Sequence, residues 1–363
     1  MERRDGEWYD ATMKKVLIAM SGGVDSSVAA YLLKEQGFAC VGATMSLYTE
    51  ADCVEDAKAV AAKLDIPHYV FDFRCEFEQH VIKPFVQAYE SGRTPNPCIV
   101  CNRHLKFGAL HEKAMELGCD YVASGHYARL EKVQQTGPES AAEPFRYVLK
   151  KSANVAKDQS YVLCMLSQKQ LSQTVFPLEG ISKDEVRKIA AEIGLSNAWK
   201  PESQDICFVP DGKYAEFIEQ YEGRTFPEGD YCDEQGNVMG KHKGIIRYTV
   251  GQRKGLGIAA GRPVYVKSID PASNQVILCD NDALFTDTLE SLDFNWVSIS
   301  KPKKPIRAKA RIRYQHKEQP AWIMPSETDS VIIRFDEPQR AITPGQTVVV
   351  YDNDMVLGGG TIK

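Results

Sequence analysis

The segment Ser21-Gly22-Gly23-Val24-Asp25-Ser26-Ser27 follows the apolar run Lys15-Val-Leu-Ile-Ala-Met20 and precedes a helical pattern. Adjacent glycines let a backbone come close to an anion. A helix that starts there adds unpaired N–H groups and the positive end of its dipole. The chemistry this suits is a grip on phosphate. The loop is not a Walker A sequence, because no Gly-Lys-Ser/Thr follows, and it is not Gly-x-Gly-x-x-Gly. Ser-Gly-Gly alone would mean little more than a turn with a Ser/Asp cap. The full motif after a buried strand favours the phosphate site.

A second group is Thr94-Pro-Asn-Pro-Cys98-Ile-Val-Cys101-Asn102, with Arg103 and Lys106 close by. Its prolines predict an extended loop. Cys-x-x-Cys spacing serves metal ligation or thiol exchange. It is weak evidence here, since a closed zinc site needs four ligands and the chain has no second Cys-x-x-Cys. Cys207, in Ser203-Gln-Asp-Ile-Cys-Phe208, reads on its own as a structural thiol. So do Cys40, Cys53, Cys75, Cys119, Cys164, Cys232 and Cys279. A third group runs from Lys301 to Lys317, with eight Lys/Arg and no acid. Lys309, Arg311 and Arg313 alternate with Ala310 and Ile312, so they share a strand face that can track phosphates, beside a Tyr314 that can stack. A solvated edge strand fits those residues equally well.

The elements that must position these groups alternate strand and helix. Strands are expected at 15–20, 40–47, 68–73 and 121–124, and helices at 25–36, 52–64 and 77–90, the last kinked at Pro84 unless it begins anew there. That alternation predicts an α/β fold, a doubly wound parallel sheet. A hairpin is expected at 127–133 and 145–150 with its tip at 134–144, then helical spacing over 158–195. From about Pro210 helical periodicity fades. Short strands at 307–314, 321–324, 330–335 and 347–352 predict a small antiparallel barrel. The expected division is an N-terminal tail (1–12), a phosphate-loop domain (13–210), a small central β-rich domain (211–286) and a C-terminal antiparallel β-barrel (287–363).

With 363 residues, 43% hydrophobic and 26% charged, the chain reads as a soluble protein of two or three domains. A net charge of -5 argues globally against a nucleic-acid partner. The local basic stripe overrides that sum. Met1 to Lys15 is polar with no export signal, and Val16 to Met20 is far too short to span a membrane. A cytoplasmic location, no membrane partner, a monomer and reduced cysteines are therefore expected.

The loop resembles that of the PP-loop ATP pyrophosphatases, which cleave ATP between the α and β phosphates and adenylate a carbonyl oxygen. Across nearly the whole chain, in order, AMSGGVDSS, GRTPNPCIVCNRHLKF, SGHYAR, KDQSYVL, SQDICF, GQRKGLG, RIRYQH, FDEPQRAITPGQ and LGGG resemble the tRNA-specific 2-thiouridylases. These enzymes make 2-thiouridine at the anticodon wobble position. The resemblance implies that Ala19, Met20, Ser21, Gly22, Gly23, Val24, Asp25 and Ser26, with Met45 and Gly125, bind ATP. It implies Mg²⁺, which Asp25 would help to hold. Cys101 is implied as the first catalytic thiol and Cys207 as the persulfide carrier. Asn96, Pro97 and Cys98 would face the target base. Lys157, Asp158, Gln159, Arg313, Tyr314 and Gln346 would contact the tRNA anticodon stem-loop. His126, at a sheet's carboxyl edge, is a modest further candidate. Gly251 to Gly257 reads as either a turn or an RNA-facing loop.

One departure matters. Many relatives carry Asp where this chain has Cys98, and a thiol cannot inherit an acid/base role assigned to a carboxylate. Cys98, Cys101 and Cys207 are also a possible ligand set for a [4Fe–4S] cluster with one open iron, so the persulfide and cluster readings both stand. In the expected reaction ATP adenylates uridine O2 and sulfur attacks C2. The base must first leave its stack. Lys106 and Arg103 are expected to favour the Cys101 thiolate. A cysteine desulfurase or sulfur-relay protein would supply the sulfur. The alternatives are a PP-loop ligase acting on a small molecule, and a non-catalytic RNA-binding or iron–sulfur sensor protein.

Overall fold

A computed structural model describes residues 3–4, 7–8, 13–48, 51–135, 144–200 and 206–363. The expected tail and hairpin tip lie largely outside these residues.

The first layer is a five-stranded parallel sheet. Its members are β1 (Lys15–Ala19), β2 (Ala39–Ser46), β3 (His68–Asp72), β4 (Tyr121–Ser124) and β7 (Thr174–Val175), in the order β3-β2-β1-β4-β7. Val16, Leu17 and Ile18 of β1 are fully buried, as expected of a central strand covered by helices on both faces. α1 (Val24–Glu35) follows β1, and α2 (Ala51–Lys63) follows β2. Strand order reverses between β1 and β4, so the crevice at their carboxyl ends is where a ligand binds in such sheets.

The helix expected over 77–90 starts earlier. α3 (Arg74–Phe77) passes through a π-helical turn (Glu78–Ile82) into α4 (Lys83–Glu90), with Pro84 in its first turn. A proline inside a helix lacks a donor, and its ring collides with the carbonyl four residues back. Widening the turn just ahead of Pro84 relieves both problems and lets the helical rod continue. The extended loop expected around Cys98 is also corrected. Only the stretch through Asn96 is extended, and Pro97 opens α5 (Pro97–Cys101). Proline suits the first helical position, where its missing N–H has no partner to lose. The helix runs on through a π segment (Asn102–Ala109) into α6 (Leu110–Glu116).

The region expected to lose helical character after Pro210 contains α7 (Tyr214–Glu222), ended by Gly223 in the left-handed conformation. β8 (Gly229–Cys232), β9 (Val238–His242), β10 (Tyr265–Asp270) and β11 (Gln275–Cys279) then form a small sheet in the order β9-β8-β11-β10.

The barrel strands are β12 (Phe285–Asn295), β13 (Ile306–Arg311), β14 (Gln319–Pro325), β15 (Val331–Arg340), β16 (Thr347–Asp352) and β17 (Met355–Ile362), antiparallel and closed by β12 pairing with β17. The hairpin of β5 (Ala128–Gln134) and β6 (Phe145–Lys151) extends this sheet, Lys150 pairing with Met355. Strand β16 shows why the two parts hold together. Val348 and Val350 face the barrel core, whereas Val349 and Tyr351 enter the core shared with the first domain. Both faces are apolar, so the strand reads as an unbroken hydrophobic run.

Candidate active site

The seven-residue loop lies at the carboxyl end of β1 and becomes the first turn of α1. The Ser26 hydroxyl donates to Gly23 O at 3.0 Å and the Ser27 hydroxyl to the same oxygen at 2.9 Å. Ser21 N–H donates to Ser26 Oγ at 3.2 Å. Gly22 has φ +71°, and a Cβ there would meet Cys53 O at 2.7 Å, so only glycine fits. Gly125, just past β4, is equally constrained, since a Cβ would stand 2.8 Å from Ser26 N. Met45 is near the carboxyl end of the neighbouring β2. The predicted ATP-binding residues therefore converge on one sheet edge.

Asp25 is not an open carboxylate. Lys183 Nζ donates to its two oxygens at 2.7 and 2.8 Å, and Tyr127 Oη donates at 2.6 Å. Asn197 donates to Gly22 O and to Ser27 Oγ, both at 2.9 Å. Tyr127, Lys183 and Asn197 are functional candidates that sequence reasoning missed. Tyr127 lay inside a quoted motif, while nothing in the residue types around Lys183 and Asn197 marks them out.

Cys98 and Cys101 share α5. Cys98 is exposed, whereas Cys101 is 8% exposed and packs into the main core. Burial pushes the Cys101 thiol up to about 11, with Lys106 pulling the other way. The expected thiolate is corrected for this state. Lys106 acts in the expected direction, but desolvation outweighs it. Crowding by surrounding protein likewise raises the Cys98 thiol, again opposed by Lys106. Cys207 is exposed on a turn anchored by buried Phe208, whose ring meets those of Phe77, Phe85 and Phe217 at 5.4, 5.2 and 5.1 Å. None of the cysteines forms a disulfide. Among the described residues no three His, Cys, Asp or Glu side chains are grouped as metal ligands, Cys98, Cys101 and Cys207 included. The residues as arranged do not fit a cluster, and no step is derived through one.

The segments expected to meet RNA are brought together. Tyr314, 40% exposed, donates its hydroxyl to Asp158 O at 3.2 Å. Lys157 and Gln159 flank that residue and are half-buried. Asp158 itself turns inward, contrary to the expected RNA contact. Its carboxylate accepts from Ser152 N (3.0 Å), Ser160 N (3.2 Å) and Ser160 Oγ (2.9 Å). Arg311 also leaves the expected phosphate-tracking face. Its guanidinium is 3.8 Å from Asp158 and lies against the rings of Tyr161, Tyr314 and Tyr351. Lys309 and Arg313 stay exposed.

Gln346 is engaged with protein. Its amide donates to Thr94 O at 2.9 Å and lies 3.4 Å from Pro95 O. Thr94 N–H donates to Pro344 O at 2.9 Å, and its hydroxyl to Thr249 Oγ1 at 3.1 Å. The arm carrying Asn96, Pro97 and Cys98 is thus gripped by both later domains. His126 is buried, shares a 2.8 Å hydrogen bond with Ser124 Oγ and packs against Phe107 and Phe176. Burial, with Lys106 nearby, holds it well below its ordinary pKa, as a neutral imidazole not offered to RNA. Gly251–Gly257 is an irregular segment with Arg253 and Lys254 exposed, bordering an open cavity of about 460 Å³.

A glycine-rich phosphate loop at the topological switch of a parallel sheet, joined to a small β domain and a closed barrel, defines an ATP-using α/β enzyme class. Residues 14–211 match the family described as tRNA methyl transferase HUP domain. Residues 215–280 match its PRC-barrel domain, and 286–362 the aminomethyltransferase beta-barrel domain. The chain is 49% identical over 362 residues to the tRNA-specific 2-thiouridylase MnmA of Clostridioides difficile (strain 630), covering 96% of this chain and 98% of that one. It is 48% identical over 364 residues to the enzyme of the same name from Lachnoclostridium phytofermentans, covering 96% and 99%. The chain belongs to the tRNA-specific 2-thiouridylase family. No helix among the described residues is long and apolar enough to cross a membrane.

Proposed function

We propose that this protein is an ATP-dependent tRNA-uridine 2-sulfurtransferase acting at the wobble position. One observation carries the reading. The loop Ser21–Ser26 opens a helix at the carboxyl edge of β1, closed against Gly125. That suits an enzyme that releases pyrophosphate. A methyl transferase, the word in the matched family's description, has no use for such a grip.

In this reading uridine O2 attacks the α-phosphorus of ATP and pyrophosphate leaves into the loop, held by N–H groups and the Ser21 hydroxyl, while the Ser26 hydroxyl stays on Gly23 O. Mg²⁺ would be held chiefly by phosphate oxygens, where it offsets developing charge, because Lys183 already engages both Asp25 oxygens. The terminal sulfur of a Cys207 persulfide attacks C2 and AMP departs. The Cys101 thiolate then attacks Cys207 Sγ, which releases 2-thiouridine and leaves a Cys101–Cys207 disulfide for a thiol reductant to open. Cys101 must lose its proton for this step, so its burial has to be relieved or a base supplied when RNA is seated. Lys157, Gln159, Arg313 and Tyr314 hold the stem-loop, and Asn96 to Cys98 meet the flipped base. Asp158 and Gln346 act by positioning neighbours. The sulfur comes from a desulfurase or relay protein.

The test is ATP–pyrophosphate exchange with and without tRNA. Exchange that requires tRNA supports the reading. Exchange at full rate without RNA would instead identify a small-molecule adenylating ligase, and no exchange at all a binding protein.

A further inference from the structure

Asn197 is 4% exposed and lies ten positions before Cys207. Its Nδ2 donates to Gly22 O and to Ser27 Oγ, both at 2.9 Å, while its Oδ1 has no partner among the described residues. The orientation of the amide is forced, because Gly22 O can only accept and the NH₂ end must face it. An unpartnered buried acceptor is unfavourable. An apolar side chain would fill the space without that cost, so the donor end of the amide is what the position needs.

The peptide geometry says what the donor does. A trans peptide is planar, with its C=O and N–H pointing in opposite directions. Holding Gly22 O towards Asn197 aims the Gly23 N–H the opposite way. The Ser26 and Ser27 hydroxyls fix the next carbonyl, Gly23 O, in the same manner. The loop's donors are thereby aimed before any anion arrives. The same stretch of chain is bolted to α2 by Lys200, 2.6 Å from Asp56, while Gly22 abuts Cys53 of that helix.

We propose that Asn197 is a positioning residue with two tasks. It aims the Gly22–Gly23 peptide at the pyrophosphate of ATP, and it ties nucleotide occupancy to the segment that carries Cys207. The proposal rests on reading Ser21–Ser26 as the ATP loop, but not on thiolation, so its test needs no turnover.

Cys207 of the full chain is alkylated with iodoacetamide and followed by peptide mass spectrometry, with and without Mg²⁺ and the α,β-methylene analogue of ATP. Nucleotide affinity is measured in parallel. In the wild type the analogue should change the Cys207 rate by about fivefold or more, the lower end of usual site-to-site coupling. Asn197→Ala should weaken the analogue and abolish that change even when saturated. Asn197→Asp keeps the volume but offers Gly22 O no NH₂, so it should do the same and carries the test if the alanine variant folds poorly. A merely structural role would lower the melting temperature of both variants and leave the nucleotide-dependent ratio intact, which overturns the proposal. So does a wild-type Cys207 indifferent to the analogue. A wild type that binds no nucleotide overturns the ATP-loop reading as well.

Discussion

The Tyr314 hydroxyl donates to the main-chain carbonyl of Asp158 at 3.2 Å, across 156 positions of sequence. This bond joins the turn that follows the barrel's basic strand β13 to the Lys157–Gln159 segment. Gln159 in turn bonds Tyr127, whose hydroxyl reaches Asp25 of the phosphate loop. The bond is a single neutral one, worth about 0.5–1.5 kcal/mol. Tyr314→Phe should therefore raise the KM for tRNA by roughly 2- to 10-fold and leave the KM for ATP unchanged in initial-rate measurements.

Arg311 and Lys309 sit two residues apart and should behave oppositely. Arg311→Met leaves a buried Asp158 without its cation. Breaking a buried pair usually costs about 3–5 kcal/mol, but Asp158 keeps three donors and the ion pair is long. A loss of about 1–3 kcal/mol is expected in urea unfolding. Lys309→Gln should leave the urea midpoint in place and lower the salt dependence of tRNA binding by about one unit of slope.

Gln346→Ala removes the barrel's side-chain hold on Thr94 and Pro95. Misplacement of a positioning loop by about 1 Å costs on the order of 100-fold. Thr94 keeps its bonds to Pro344 and Thr249. A fall in kcat of roughly 10-fold is expected, with tRNA affinity little changed. An equal fall in tRNA affinity would return Gln346 to a direct RNA contact.

The pH dependence follows from Cys101, whose thiol is raised by burial to about 11. Burial favours the neutral form, so the thiolate is scarce at neutral pH and grows about tenfold per unit until the pKa is reached. Alkylation of Cys101 in the RNA-free enzyme should climb from pH 7 to 10 without levelling. A plateau by pH 8 would mean that Lys106 already holds a thiolate there.

The parts of the site legible in sequence were those set by local pattern. Strand β1, the glycine pair and the helix start follow one another without a break, so the phosphate loop could be read directly. The alternation from Lys309 to Arg313 marked a barrel strand, expected over 307–314, which in the structure runs from Ile306 and ends at Arg311, short of Arg313 and Tyr314. What stayed hidden depends on tertiary contact. Alternation put Arg311 beside Lys309, yet three tyrosines and Asp158 draw it inward. Pro97 looked like a loop former because a proline at the first helical position has the same local signature. Asn197 had no signature, since its importance comes from which carbonyl it meets. The attachment of β5 and β6 to the barrel rests on a pairing across 205 positions, Lys150 with Met355.

In the proposed reaction Cys207 carries the sulfur and Cys101 releases it, without iron. The most direct measurement is a single turnover on anaerobically purified enzyme, shown free of iron, with Cys207 loaded as a persulfide and given ATP and tRNA. Nucleoside mass spectrometry should find one 2-thiouridine, and one AMP, for each loaded Cys207, and no thiolation in Cys207→Ser. Thiolation that survives Cys207→Ser, or that appears only in preparations containing iron, would overturn these roles for Cys207 and Cys101.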